Sequence, residues 1–339
     1  MLAAMKALPS LAFAAGLALL GAAHSSRAAG EGPPSLSFPL ACRIGVTCEV
    51  QNYVDRDPGP GAADYRCSSE TYEKHNGVDI RLLDMAAQRR GVDVLAAAPG
   101  RVARLRDGRP DISIKDPNAP PLDGQDCGNG VVIDHGGGWE TQYCHMARGS
   151  IAVKVGQQVA AGAPLGHVGL SGNTEYPHMH ITVRHGQTVV DPFAPDAGTT
   201  NACHAEAPLW SPAALAQLAY KPAAVLNAGF ASGPLKMGDV EAGQIPAPTA
   251  AAPYLVAYAR GINLKPGDVI ALALHGANGQ LLAQTRLPPL EHAMAQHLAF
   301  IGAKRPAAGW PAGRYKARYE VLRDGKPLIG RDVEVAIAG

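Results

Sequence analysis

The sequence has 339 residues, with 30 basic and 29 acidic side chains and a formal net charge of +1 at pH 7. A chain this close to neutral lacks the excess of positive charge that favours nucleic-acid binding, so we expect no nucleic-acid partner. The hydrophobic fraction of 47% is sufficient for packed cores, and the length favours two domains over one.

The N-terminus has the layout of a signal peptide. Lys6 precedes an apolar run over residues 7–23, and small residues suited to cleavage follow near residues 27–29. The run is shorter than the roughly 18 to 20 residues that span a bilayer, so cleavage is favoured over an uncleaved anchor. We therefore expect residues 1–29 to be removed. The remaining chain would be exported, periplasmic or secreted, and not an integral membrane protein.

Six cysteines remain after this segment, and all of them lie before residue 204. An even number of cysteines in an exported chain predicts three disulfides rather than thiolate metal ligands. Fifteen pairings are possible, and sequence alone does not select one. Cys127 and Cys144 flank a predicted hairpin and are expected to pair. Cys48 with Cys67, and Cys42 with Cys203, complete the set that we expect.

The first predicted domain covers residues 30–200. Its entry segment, residues 36–74, is rich in turn signals and is expected to be irregular. From Val78 onward, short β-type runs alternate with Gly, Pro and Asp, which is typical of an all-β domain. Residues 131–135 and 139–145, separated by three glycines, predict a β-hairpin.

Two further segments follow this domain. Residues 201–250 are rich in Ala, Pro and Gly and predict a linker with one short helix, which Ser211 would cap. Residues 251–339 show alternating β patterns and two strong hairpin turns, Asn278-Gly279 and Asp324-Gly325. This pattern predicts a small C-terminal β-sandwich domain.

The residues that suggest chemistry are histidines and one aspartate. His75 and Asp79 would stand ~13 Å apart on a straight strand, too far to share one metal ion, so Asn76-Gly77 must bend the chain. His178 and His180 alternate on a β-type run and would project from one face. Each pattern alone is also typical of surface histidines.

Considered together, these residues predict a catalytic zinc site. Neutral imidazoles and one carboxylate are the ligands that Zn²⁺ takes when a fourth position stays open for water. Two further histidines would then steer the water and stabilise an oxyanion. The sequence has no H-E-x-x-H, which excludes the helical zinc motif. Spacing alone leaves open which of His178 and His180 binds the metal.

The order of motifs resembles the lysostaphin/LytM family of zinc metallopeptidases. The matching motifs are H-x-G-x-D at 75–79, Y-x-H at 143–145 and P-H-x-H at 177–180, with similar flanking segments at 96–102, 155–159 and 169–174. The resemblance covers roughly residues 70–195. It implies an antiparallel β-sheet domain in which His75, Asp79 and His180 bind one zinc ion (Zn²⁺) per chain. It further implies that His145 and His178 form an unligated catalytic pair.

The resemblance also implies a function, which is hydrolysis of peptide bonds in the stems or crosslinks of peptidoglycan. An alternative is a non-catalytic regulator of the same fold that activates another cell-wall hydrolase. A third interpretation is an exported metal-binding protein without peptidase activity. The polar insertion at 106–126 is expected to wall one end of the substrate groove, because loops around a groove determine specificity. The C-terminal domain carries no recognised motif; it would position the protein on peptidoglycan or on a cell-envelope protein, or cover the groove, where it could inhibit the enzyme.

Overall fold

An eight-stranded sheet forms the first half of the chain in the computed structural model, which describes residues 32–195, 203 and 207–338. The predicted signal peptide lies outside these residues. Neighbouring strands pair antiparallel in the order β1-β2-β9-β6-β5-β4-β7, and β10 pairs with β9. A separate pair is formed by β3 and β8. The elements are β1 (Cys48–Asn52), β2 (Val78–Leu82), α1 (Met85–Arg90), β3 (Asp93–Leu95), β4 (Gly100–Arg106), β5 (Asn129–Gly136), β6 (Trp139–Met146), β7 (Gln158–Val159), β8 (Pro164–His167), β9 (His178–His185) and β10 (Thr188–Val190).

The centre of this sheet follows from the sequence pattern. The β5–β6 hairpin forms as predicted, and its turn residues Gly137 and Gly138 have φ values of 57° and 82°. Positive φ at both turn positions matches the twist of the flanking strands and favours glycine. Strand β9 lies between β2 and β6, and its first six residues are buried. The sheet therefore places the P-H-x-H segment on its central strand.

The second half is a β-sandwich. A three-stranded sheet in the order β11-β12-β15 packs with a four-stranded sheet in the order β14-β13-β16-β17. The two predicted hairpins are present, with β13 paired to β14 and β16 paired to β17. The elements are α2 (Pro212–Gln217), β11 (Ala224–Ala231), α3 (Met237–Ala242), β12 (Tyr254–Leu264), β13 (Val269–His275), β14 (Leu281–Arg286), β15 (Met294–Lys304), β16 (Gly313–Arg323) and β17 (Lys326–Ile337).

Three strands lie where none was predicted. Strand β1 lies in the entry segment, β11 lies in the segment predicted as a linker, and β15 lies between two predicted hairpins. The helix of that linker does form as α2, capped by the Ser211 side chain, which accepts from the Ala214 N–H. Strand β11 is rich in Ala and Gly and lacks alternation, so its partner β12 determines its extended form.

Two of the three expected disulfides were wrong. Cys127 pairs with Cys144 as predicted, whereas the other pairs are Cys42–Cys48 and Cys67–Cys203. A tight loop explains the first difference, because the Gly45 N–H donates to the Cys48 carbonyl and returns the chain to Cys42 at a Cα–Cα distance of 6.1 Å. The second pair links residues 136 positions apart, a closure that only the tertiary fold determines.

A buried polar cluster joins the sheet to the sandwich. Arg81 on β2 and Arg260 on β12 are fully buried, and both contact the carboxylate of Glu241 on α3. Gln296 on β15 accepts from Arg81 Nη2 at 3.0 Å.

Among the described residues, no helix is long and apolar enough to cross a membrane.

Candidate metal centre

Three of the predicted residues converge at the junction of β2 and β9. Asp79 lies opposite His180 in the register of these strands, so both side chains project from the same face. His75 precedes β2, and the chain bends at Gly77 before the strand begins. The bend brings His75 Nε2 to 3.2 Å from Asp79 Oδ2. Sequence spacing had required this bend.

The donor atoms have the separations that a zinc ion needs. His180 Nδ1 lies 2.8 Å from Asp79 Oδ1 and 3.2 Å from His75 Nε2. Ligands ~2 Å from a common tetrahedral ion stand roughly 3.3 Å apart. The three residues are buried and form a group suited to hold a metal ion. Two imidazoles and a carboxylate fit a catalytic zinc better than calcium or magnesium, which prefer oxygen ligands.

Gly77 permits the close approach of the two strands at this point. A Cβ atom added to Gly77 would lie 2.5 Å from His180 Nε2 and 2.5 Å from the Ile181 carbonyl oxygen. Contacts this short force neighbouring atoms to move. The glycine of the H-x-G-x-D motif therefore makes room for a ligand histidine.

Residues around the group hold its members in orientation. His75 Nδ1–H donates to the Tyr53 carbonyl at 2.6 Å, which leaves Nε2 free for a metal. Asn52 Nδ2 donates to Asp79 Oδ2 at 2.9 Å, and His180 Nε2 lies 3.0 Å from Thr182 Oγ1. Such partners select the histidine tautomer and orient the ligands. Asn52 and Tyr53 carried no predicted role, because both lie in the segment expected to be irregular.

The predicted catalytic pair lies beside this group. His145 Nδ1–H donates to the Ser171 carbonyl at 2.8 Å, so its Nε2 can accept a proton. His178 Nδ1–H donates to the Tyr176 carbonyl at 3.0 Å, and its Nε2 lies 3.5 Å from Asp79 Oδ1. The two rings are 4.6 Å apart between centroids. All five predicted site residues therefore share one location.

The pKa shifts of Asp79 and His145 suit the roles predicted for these two residues. Burial would raise the pKa of Asp79, but His75, His178 and His180 hold it well below its usual value, so the carboxylate stays ionised. Burial, together with His178 and His180, holds the pKa of His145 well below its usual value. His145 is therefore neutral near pH 7, the form in which it can act as a base.

Two clefts meet at the site and form a groove across it. A cleft of 580 Å³ reaches Asp79, His145 and His178. A second cleft of 470 Å³ reaches His75, His145 and His180 from the other side. The insertion at 106–126 contributes to both clefts. Its contributions are Ile114 to the first cleft and Arg106, Gly124 and Asp126 to the second.

The part of the chain that holds the site is similar to known proteins. Residues 73–192 match the model of Peptidase family M23. Over 125 residues the chain is 33% identical to cell division protein DipM of Caulobacter vibrioides, which covers 37% of this chain and 17% of DipM. Over 53 residues it is 43% identical to peptidoglycan DD-endopeptidase ShyA of Vibrio cholerae, covering 16% of this chain and 12% of ShyA. The match therefore spans less than a fifth of either relative.

Solved structures are similar to part of the chain. A zinc-containing peptidase from Vibrio cholerae shares 22% identity with a TM-score of 0.32, covering 47% of this chain and 39% of that one. The catalytic domain of lysostaphin from Staphylococcus simulans shares 21% identity with a TM-score of 0.27, covering 42% and 85%. Residues 73–192, which contain the five predicted site residues, are therefore similar to Peptidase family M23, in agreement with the LytM/lysostaphin-type motifs of the sequence.

Proposed function

We propose that this protein is an exported zinc endopeptidase that cuts peptide bonds in peptidoglycan stems or crosslinks. One observation carries the proposal, which is the convergence of five buried polar side chains at the floor of an open groove. Three of them form the metal-binding group, and two histidines beside it remain outside that group. The similarity to ShyA, a peptidoglycan DD-endopeptidase, supports peptidoglycan as the substrate.

His75, Asp79 and His180 would hold the zinc ion through Nε2, a carboxylate oxygen and Nδ1. A zinc ion held there would supply a Lewis acid that polarises the scissile carbonyl and lowers the pKa of a water molecule. The chain positions these ligands through the hydrogen bonds of Tyr53 and Asn52. This arrangement keeps the ligands oriented before substrate arrives.

His145 and His178 would perform the proton transfers and stabilise developing charge. His145 Nε2 accepts the proton of the attacking water, because its Nδ1–H is committed to the Ser171 carbonyl. His178, whose Nδ1–H donates to the Tyr176 carbonyl, would act as the imidazolium, in which the Nε2–H also donates a hydrogen bond to the oxyanion of the tetrahedral intermediate. The transferred proton then passes to the leaving amine.

A regulator that only activates another hydrolase would not need this pair. The presence of all five residues in buried, hydrogen-bonded positions therefore favours catalysis over the regulatory alternative. Peptidoglycan lies outside the cytoplasm, which agrees with the predicted signal peptide and with the three disulfides.

The test is digestion of purified peptidoglycan by the mature protein. We expect soluble muropeptides to be released by the wild type, and their identity to show the bond that is cut. Chelation should abolish release, because it removes the Lewis acid. His145→Ala should lower the rate of release roughly 10²- to 10⁴-fold, the loss typical of a missing general base.

The control is the zinc content of the His145→Ala protein, which should equal that of the wild type since His145 is not a proposed ligand. A folded, zinc-loaded wild type that releases no muropeptides would contradict the proposal and support the regulatory role. Asp79→Asn should lose both activity and zinc.

A further inference from the structure

We infer that the C-terminal β-sandwich forms a fixed wall of the substrate cleft and selects substrates by shape. This inference rests on the proposed function, since it concerns how a peptide would lie beside the same site. It assigns a specificity role to residues far outside the segment that matches the peptidase family.

The cleft of 580 Å³ lies between the two halves of the chain. On one side it is lined by the end of β1 and by residues 69–72, with residues 173–176 next to the catalytic histidines. On the other side it is lined by residues 263–265 and 293–295 of the sandwich. These two segments are adjacent because Leu264 pairs with Met294 in the β12–β15 ladder. The volume falls within the roughly 300–1,000 Å³ of small-ligand pockets, enough for a short peptide segment.

Direct hydrogen bonds hold this wall in place. The side chain of Asn263 donates to the Gln51 carbonyl at 2.7 Å, and Gln51 Nε2 donates to the Ala295 carbonyl at 3.0 Å. Lys265 Nζ contacts Glu70 at 3.1 Å and Ser68 Oγ at 2.6 Å. Gln51 precedes Asn52, which contacts Asp79. The wall is therefore tied to the strand next to the metal ligands.

The wall borders the site without covering it. The cleft opens onto Asp79, His145 and His178, and the second cleft reaches the site independently of the sandwich. A peptide could therefore extend from the catalytic histidines along the sandwich. The sandwich would contact only the part of the peptide that lies on one side of the scissile bond.

Recognition at this wall depends on shape. The amide donor of Asn263, the ammonium of Lys265 and both ends of the Gln51 side-chain amide are engaged with protein partners. Half-buried Met294, together with Ile114 of the insertion, adds apolar surface to the same cleft. Such a surface selects peptides by the width that the cleft accepts. It favours substrate peptides with small side chains where they lie beside the sandwich.

The test narrows the cleft from the sandwich side. Ala293 is exposed and lines the cleft, so Ala293→Trp places a bulky ring in it without removing a docking contact. The probe is crosslinked muropeptides released from peptidoglycan by a muramidase. We expect the KM of Ala293→Trp to rise at least tenfold over that of the wild type, while kcat stays within twofold. The dissociation constant of the muropeptide, measured in a His145→Ala background, should rise by the same factor. Ala295→Trp, at a second exposed lining position, should behave in the same way.

The matched control is Ala307→Trp, at an exposed turn of the sandwich that does not line the cleft. It should leave KM and the dissociation constant unchanged. If the folded Ala293→Trp and Ala295→Trp proteins have the same KM and the same dissociation constant as the wild type, the inference is overturned. Cleavage by the wild type would still uphold the proposed function. A wild type that binds without cleaving, with weaker binding by both variants, would uphold the inference and overturn the function. A wild type that neither binds nor cleaves would overturn both.

Discussion

Gly77 shows how a single residue decides the geometry of the metal centre. It lies between His75 and Asp79, and it directly faces the ring of His180 from the neighbouring strand. Any larger residue would occupy space that the ligand ring now fills. The requirement at this position is for close approach rather than for an unusual backbone angle.

We predict that Gly77→Ala lowers zinc affinity. The added methyl group would lie 2.5 Å from His180 Nε2, so the histidine ring must leave its present position. Disturbed ligand orientation typically costs roughly 10- to 100-fold in metal affinity. Competition with a chromogenic chelator measures this change.

Gly233→Ala is the control for this substitution, because a Cβ atom there meets nothing within 4 Å. Its zinc affinity should equal that of the wild type. Equal affinities for Gly77→Ala and Gly233→Ala would show that the close approach at Gly77 does not control the site.

At the level of elements, the β5–β6 hairpin carries a disulfide next to a proposed catalytic residue. Cys144 on β6 is bonded to Cys127, and the Cys127 carbonyl accepts from the backbone N–H of His145 at 2.8 Å. His145 itself has a φ of 59°, in the left-handed region. The bond therefore fixes the segment that holds His145 in an uncommon backbone conformation.

We predict that the double substitution Cys127→Ser, Cys144→Ser reduces both stability and turnover. Opening a link between residues 17 positions apart removes about 3 kcal/mol of stability in the chain-entropy account. We expect kcat to fall about tenfold, because a small displacement of a catalytic group has a large effect on rate. Urea unfolding and muropeptide release measure the two effects.

The double substitution Cys42→Ser, Cys48→Ser is the comparison, since that bond links residues only six positions apart and does not contact the site histidines. It should lower the free energy of unfolding by about 2 kcal/mol and leave kcat unchanged. Equal losses of kcat in both proteins would contradict a specific role for Cys127–Cys144.

For the whole molecule, the Arg81–Glu241–Arg260 cluster makes the two halves interdependent. Two fully buried guanidinium groups share one carboxylate, and the Leu83 carbonyl also accepts from Arg260. The guanidinium of Arg81 also stacks on Tyr176, with 3.7 Å between Cζ and the ring centroid. The cluster thus connects the sandwich to the residue whose carbonyl orients His178.

We predict that Glu241→Gln destabilises the whole chain by about 3 kcal/mol, because removing one partner leaves buried charges uncompensated. Glu241 is partly exposed, so the loss falls at the low end of the range for buried pairs. Chemical unfolding of both halves, followed by tryptophan fluorescence, measures the effect.

Glu291→Gln, at an exposed position of the sandwich, is the control and should leave the free energy of unfolding unchanged. An unaltered free energy in Glu241→Gln would mean that the cluster does not stabilise the junction.

Local patterns in the sequence were sufficient to predict the hairpins and part of the geometry of the site. The alternation of His178 and His180, the bend required between His75 and Asp79, and the glycine turns of the hairpins all concern residues close in the chain. Backbone geometry restricts such short segments to few conformations, so their side-chain directions can be deduced. The family resemblance added the assignment of His145 and His178 as a pair, which spacing could not supply.

Tertiary structure alone decided the remaining features. The partners of Cys42 and Cys67, the pairing of β11 with β12, and the contact of Asn52 with Asp79 join segments that local patterns do not relate. The same holds for the wall that the sandwich adds to the cleft. These contacts depend on which surfaces exclude water together when the whole chain packs, a property of the assembled fold that no short segment encodes by itself.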